Sequence, residues 1–154
     1  MRLLLSVLMC ALFLPFGVLA QNDTKKTPLE QVHYNENINS PLTTKELSQL
    51  QEVYGDYLDE AILSRPQRLK DLKNILRNRV EIVKHENKDL STFPKLSQVE
   101  LFTVYNKSLY RDNVFSPESF NPLKYQFNFY AREGETYSVE GTDYIIIIKS
   151  QYQL

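Results

Sequence analysis

Cysteine is nearly absent from this chain: Cys10 is the only one among 154 residues, and it lies in an apolar run at the N-terminus. If that run is cleaved as a signal peptide, no thiol remains in the mature chain. A chain without thiols forms no disulfide, has no cysteine nucleophile and binds no metal through thiolates. Its stability must come from an ordinary hydrophobic core, for which about 134 residues are enough.

Glycine and histidine are also scarce, which limits the chemistry further. With four glycines in all, the sequence has no Gly-rich phosphate loop, and it has no G-x-S-x-G serine elbow. The two histidines are His33 and His85. Glu81 and His85 have the spacing of helical metal ligands, but the second histidine of the zinc-hydrolase pattern is missing. We therefore expect no metal site, no cofactor and no enzymatic activity.

Paired carboxylates keep one enzymatic alternative open. Asp59 and Glu60 are adjacent in a predicted helix, and Glu133 and Glu135 flank a predicted turn. Glycosidases use two carboxyl groups in a cleft that distorts a sugar. A small secreted hydrolase that uses carboxylates is therefore the alternative to a non-enzymatic protein.

Neither sign of charge dominates, since the formal net charge is −1, and we expect no nucleic-acid partner. The charges are nevertheless separated along the chain, with net −4 over residues 43–64 and net +5 over residues 65–88. Opposite charges on adjacent helices favour mutual neutralisation. The alternative is that the basic segment binds anionic lipid at an envelope surface. Its candidate contacts are Arg68, Lys73, Arg77 and Lys84.

The one long apolar run lies at the N-terminus, in MRLLLSVLMCALFLPFGVLAQ. Arg2 precedes an apolar core that ends near Phe16, and Val18 and Ala20 stand at the positions that a signal peptidase reads. This pattern predicts a signal peptide over residues 1–20 that is cleaved after Ala20. The mature protein should then be secreted or periplasmic.

Two other interpretations of this run are weaker. An uncleaved membrane anchor would need its helix to continue through Pro15 and Gly17. A lipoprotein signal would use Cys10 as the lipidated residue, but the preceding Met9 is bulky where a small residue is expected. We therefore expect no transmembrane segment in the mature chain.

Two amphipathic helices are predicted after a polar linker or arm. Thr43 with Glu46 three residues later is a capping-box pattern, and apolar residues at helical spacing follow it. Pro66 suits the first turn of a second helix. Since only a short break separates them, the two helices should form an antiparallel hairpin. The predicted ranges are 21–42 for the arm and about 44–63 and 66–86 for the helices.

The C-terminal part alternates apolar and polar residues between turn signals, which predicts strands. Gly134 and Gly141 mark the turns between them. The four isoleucines at 145–148 form a continuous run, which is typical of a strand buried on both faces. One face should meet the helices, and the aromatic connecting segment or the arm should cover the other. The predicted strands are about 124–131, 136–140 and 143–150, in a meander.

The predicted fold is α+β: the helical hairpin packs on a three- or four-stranded antiparallel sheet, in a single domain over residues 43–154. Residues 91–123 connect helices to strands and are rich in aromatics and turn signals. An ordered connection of that length is often functional. We expect a partner surface in and just after it, formed by Tyr105, Tyr110, Phe115, Phe120, Tyr125 and Tyr130.

These features together predict a small exported, non-enzymatic protein. Its partner would be another envelope or extracellular macromolecule, either a protein or a surface glycan. Tyrosine suits both kinds of partner, because its ring has a flat apolar face and a polar tip.

Overall fold

The computed structural model of the chain describes residues 32–85 and 89–152. The predicted signal peptide, its cleavage site after Ala20 and the first part of the predicted arm lie outside these residues. In the part that is described, no helix combines the length and apolarity that a bilayer crossing requires.

The first helix begins where the capping box predicts. Helix α1 is Thr44–Tyr54, the N–H of Thr43 donates to Glu46 Oε2 at 2.8 Å, and the N–H of Glu46 donates to Thr43 Oγ1 at 3.2 Å. Gly55 ends α1 with φ +53°, which a residue with a side chain rarely adopts. A 3-10 turn and a π turn then carry the helical region to Leu63, as predicted, but in three pieces.

The second helix is shorter than predicted. Helix α2 is Pro66–Asn74, and a π turn over Ile75–Arg79 ends it. The next five residues form strand β1, Val80–Lys84, so the prediction of helix to residue 86 is wrong. The sequence there is VEIVK, in which β-branched residues favour a strand, and pairing with the isoleucine strand overrides the helical spacing.

In the described part of the chain, the sheet has three antiparallel strands in the order β1-β3-β2, where β2 is Glu135–Ser138 and β3 is Tyr144–Ile148. The α+β class, with two helices and a small antiparallel sheet, is therefore confirmed. The third strand comes from the middle of the chain, however, so the sheet is not purely a C-terminal meander.

Residues 124–131 do not form the predicted strand. Pro122–Lys124 is a 3-10 turn, and Tyr125 makes one isolated bridge to Leu101. The alternation that predicted a strand has another cause. The rings of Tyr125 and Phe127 stack at 5.5 Å and are both buried in the core, while the residues between and after them are exposed.

The core consists of two clusters. The first joins the two helices through residues such as Leu50, Ile62 and Ile75. The second lies on one face of the sheet, where Ile146 and Ile148 contact the aromatic side chains of the connecting segment. The aromatic segment, not the helix pair, is therefore the main cover of this face. The opposite face is partly covered too, since Ile145 is 5% exposed.

The arm is docked rather than loose over its described part. The hydroxyl of Tyr34 donates to Asp71 Oδ1 at 2.6 Å, and Lys73 Nζ donates to the carbonyls of Ile38 at 3.1 Å and Ser40 at 2.6 Å. Ile38 is 5% exposed. Residues 32–42 therefore belong to the folded unit, which begins before residue 43.

Candidate binding pocket

A pocket of about 410 Å³ opens between the helices and the aromatic segment. Its inner walls are apolar and are formed jointly by the helices and by the connecting region. The helices contribute Tyr54, Ile62, Leu72 and Ile75, and the connecting region contributes Phe102, Leu123, Tyr125, Phe127 and Phe129.

Local structure explains why these residues converge. The helical wall residues lie on the apolar stripes of the two helical regions, so they face one another in the hairpin. Phe102 is held opposite residue 124, since its N–H donates to the carbonyl of Lys124 at 2.8 Å. The ring of Phe102 then meets Tyr54 edge-on at 6.3 Å. The aromatic segment thus packs its rings against helix α1, and the pocket lies beside these rings.

Three polar side chains surround the mouth: Arg68, Gln126 and Tyr130. All three are exposed, and Tyr130 keeps 64% of its surface free. Arg68 Nη1 donates to the carbonyl of Ala61 at 3.2 Å, which fixes the guanidinium over the junction of the two helices. The mouth therefore combines one positive charge, one amide and one aromatic ring.

The charge of Arg68 reaches the inner wall. Burial raises the pKa of Tyr54 to about 12, and the positive charge of Arg68 opposes that shift. The phenol of Tyr54 is therefore a neutral donor at physiological pH. Among the described residues, no carboxylate lines the pocket, so an apolar group that carries a negative charge or a carbonyl at its outer end suits its electrostatics.

The predicted partner surface is divided by the fold. Tyr110 and Tyr130 are exposed, by 70% and 64%, whereas Phe120 and Tyr125 are buried in the core. Tyr105 is half-buried among the rings of Tyr54, Tyr57 and Phe102, and Phe115 is half-buried between Phe120 and Tyr144. The structure brings Tyr125 and Tyr130 to the pocket and places Tyr110 elsewhere, over Lys124.

The predicted anionic contacts do not form one exposed basic face. Lys73 is buried against carbonyls of the arm, and Arg77 binds Glu46 on α1 and also donates to carbonyls of the arm. Lys84 is exposed and lies 3.1 Å from Asp143. Arg68 is exposed at the pocket mouth. Arg77 therefore pairs with an acidic residue of the first helix, as mutual neutralisation predicts, and does not present its charge for lipid binding.

The carboxylates on which the hydrolase alternative rests lie outside the pocket. Asp59, Glu60, Glu133 and Glu135 do not belong to its lining. A different pair does converge: Glu52 and Asp112 lie 3.0 Å and 2.8 Å from the Nζ of Lys124, which is 1% exposed.

The ammonium group of Lys124 determines what this cluster of residues can do. Burial lowers the pKa of Lys124, but its hydrogen bonds to Asp112 and Glu52 outweigh burial and hold the pKa above its ordinary value. The ammonium group occupies the space between the two carboxylates, where a glycosidic bond would have to lie. This group of residues is therefore an ion-pair cluster that anchors the connecting segment to α1.

Within residues 32–85 and 89–152, no three His, Cys, Asp or Glu side chains come together as a group that could hold a metal ion. Glu81 binds Lys149 at 3.0 Å, and the ring of His85 contacts Phe93 at 6.2 Å. The predicted helical spacing of Glu81 and His85 is not formed, since Glu81 lies in strand β1 and His85 directly follows that strand.

Most pocket residues could not be singled out from the sequence. Tyr54, Ile62, Leu72 and Ile75 belong to apolar stripes whose other members are simply packed. Phe102, Phe127 and Phe129 lack any motif. The one usable signal was the density of aromatic residues after residue 91.

No protein-family model, no curated protein and no solved structure matches the chain. The geometry of the pocket therefore carries the functional proposal.

Proposed function

We propose that this chain is a small exported binding protein without enzymatic activity, and that its partner is another protein of the cell envelope. The observation that carries the proposal is the pocket of about 410 Å³, which has buried apolar walls and an exposed mouth formed by Arg68, Gln126 and Tyr130. Pockets of this kind receive the anchor side chains of protein partners.

The apolar walls of the pocket favour a protein partner over a surface glycan. Sugars stack on exposed aromatic faces and need several hydrogen-bonding groups beside them. In this pocket the rings of Tyr125 and Phe127 are buried, and the polar groups away from the mouth are the hydroxyls of Tyr54 and Tyr125. An aliphatic or aromatic side chain matches such a pocket, and Arg68 and Tyr130 are residue types enriched at the energetic centres of protein interfaces.

The residue pattern at the N-terminus supports export. A signal peptide over residues 1–20, cleaved after Ala20, would deliver a thiol-free protein to the periplasm or the exterior. An envelope protein is then the partner that the chain would meet first.

The proposal is tested by quantitative capture from the envelope fraction of the source cells, with the mature protein as bait and mass spectrometry as the readout. Wild type should enrich one envelope protein. Tyr130→Ala should reduce that enrichment about tenfold, since it removes a ring at the mouth worth more than 1 kcal/mol.

Tyr110→Ala is the matched control, because Tyr110 is as exposed as Tyr130 but lies outside the pocket. It should capture the partner as well as wild type does, and both variants should keep the wild-type unfolding curve. Equal enrichment by wild type and Tyr130→Ala, or turnover of a substrate in a hydrolase screen, would overturn the proposal.

A further inference from the structure

One edge of strand β1 forms no backbone hydrogen bonds with any described residue. In an antiparallel pair of strands, every second residue of one strand forms backbone hydrogen bonds to the other strand. On β1 the odd-numbered residues bond to β3, as the N–H of His85 does with the carbonyl of Asp143 at 2.7 Å. The carbonyl of Val80 and the N–H and C=O of Ile82 therefore point away from β3. Within residues 32–85 and 89–152, no backbone group pairs with them.

The outer edge of β2 is covered at Ser138, which distinguishes it from the open edge of β1. On β2 the outward N–H of Ser138 donates to the carbonyl of Pro94 at 2.8 Å, and Lys95 forms a bridge with Ser138. The Ser138 hydroxyl adds a second bond to Pro94 at 3.3 Å. An added strand could therefore pair along β1 but not along this part of β2.

A cavity of about 420 Å³ lies directly beside the open edge. Val80 and Ile82 form one wall, on the face of the sheet that carries the aromatic cluster. A residue paired with Val80 or Ile82 on a new strand would place its side chain about 5 Å from theirs, within this cavity. The remaining lining residues are Thr43, Lys45, Glu46, Gln49, Leu76, Pro117, Phe120 and Pro122.

The charge of the cavity selects among peptides. Its charged lining residues are Lys45 and Glu46. Glu46 already binds Arg77, at 2.5 Å and 2.7 Å, and is therefore neutralised. Lys45 is exposed, so the cavity offers apolar walls with one cation at the rim.

We propose that the open edge of β1 binds an extended segment of a partner protein by strand addition. An apolar side chain of that segment fills the cavity beside Val80 and Ile82, and an acidic residue two positions away, on the same face of the added strand, pairs with Lys45. This surface is separate from the pocket that carries the proposed function, and the two can succeed or fail independently.

The unpaired backbone groups specify the occupant. Alternating N–H and C=O groups along a strand edge are matched by another extended backbone, and the adjacent cavity supplies side-chain specificity. Neither a glycan nor a lipid presents such a ladder. A second copy of this chain is the other possible strand donor, and the experiment separates it from a foreign segment.

The test begins with phage-displayed random peptides of about ten residues, selected on the mature protein. Selected peptides should carry an apolar residue and an Asp or Glu two positions apart, because residues at that spacing share one face of a strand. When the best peptide is synthesised with N-methyl groups on every second residue, one phase should lose binding about tenfold or more. The other phase should bind normally, because its N–H groups point away from β1.

Hydrogen exchange gives a second readout on the wild-type protein. The amide of Ile82 should gain protection when the peptide is bound, whereas the amide of Val83, which faces β3, should change little. Ile82→Pro should abolish binding, since a proline is tolerated where an edge N–H faces solvent but cannot donate. Ile82→Val keeps the N–H and should still bind.

Three results would overturn the proposal. They are no peptide enriched on wild type over Ile82→Pro, equal losses for both N-methyl phases, and peptide protection confined to residues outside β1. Dimerisation of the free protein in light scattering that Ile82→Pro abolishes would assign the edge to a second copy instead. Tyr130→Ala should leave peptide binding unchanged, so a defect in the pocket cannot be mistaken for a defect here.

Discussion

Glu46 shows how much a single side chain does in this small protein. Its carboxylate closes the capping box of α1 and binds Arg77, which in turn holds carbonyls of the arm, including that of Pro41 at 2.8 Å. The first helix, the second helical region and the arm therefore meet at one carboxylate. The hydrogen bonds from Arg77 are the main reason that the pKa of Glu46 falls to about 2, against the opposing effect of burial.

Replacing Glu46 with Gln should lower the free energy of unfolding at pH 7 by about 2 kcal/mol. The folded pKa of about 2 lies below the ordinary value of 4.5, so the stabilisation is complete above about pH 4.5 and disappears as the pH falls towards 2. Urea titrations of wild type and Glu46→Gln should therefore differ at pH 7 and converge near pH 2.

The control for this prediction is Glu60→Gln, which changes an exposed glutamate of the same helical region. Its stability should stay within about 0.5 kcal/mol of wild type. A Glu46→Gln deficit that is the same at pH 7 and pH 2 would contradict the ion pair as its cause.

At the scale of the elements, Gly55 decides where the first helix breaks. The sequence places a glycine within a helical pattern, and propensity alone makes Gly55→Ala stabilising by about 1 kcal/mol. The φ of +53° reverses the sign, although no atom lies within 4 Å of a Cβ at this position. The cost is therefore conformational and not steric crowding by a neighbour.

Gly55→Ala should destabilise the protein by about 1 kcal/mol, because the left-handed backbone disfavours a side chain. Ser48→Ala is the matched substitution at an exposed position within α1, where alanine should be neutral or slightly stabilising. Thermal unfolding of both variants checks the pair. Stabilisation by Gly55→Ala would show that the helix continues through residue 55 in solution.

Strand β1 is the element that sequence periodicity misassigned. Apolar residues at 76, 80 and 83 continue the helical spacing of α2, so a local reading extends the helix to residue 86. The four isoleucines of β3 need partners on both sides, and VEIVK supplies one of them. Long-range pairing therefore outweighed local spacing, as is common for β-branched sequences.

At the scale of the whole molecule, the arm is part of the stability of the fold. Residues 32–42 contribute the buried side chain of Ile38 and the carbonyls that satisfy Lys73, which is itself 9% exposed. Without the arm, this lysine would lose the oxygen atoms that bind its ammonium group. Polar composition alone made the arm resemble a linker, because most of these contacts use its backbone.

A chain that begins at Thr43 should have a free energy of unfolding at least about 3 kcal/mol lower than that of a chain that begins at Val32. The loss combines the exposure of apolar surface around Ile38 with the broken hydrogen bonds of Lys73 and Arg77. Urea unfolding followed by circular dichroism measures it. Equal midpoints for the two chains would mean that the arm is not docked in solution.

Local sequence determined the α+β class, the N-cap of α1 at Thr43, the first turn of α2 at Pro66 and the β2–β3 hairpin with its isoleucine strand. Capping, proline geometry and turn chemistry act over a few residues, so these features can be read from the chain.

Only the tertiary structure decided the rest. It turned residues 80–84 into the third strand, buried Phe120 and Tyr125 while exposing Tyr110 and Tyr130, and left both the pocket and the open edge of β1. Each of these depends on which segments distant in sequence come to lie against one another. The spacing of apolar residues predicts which side chains are buried, but not the partners that bury them or the gaps left between them.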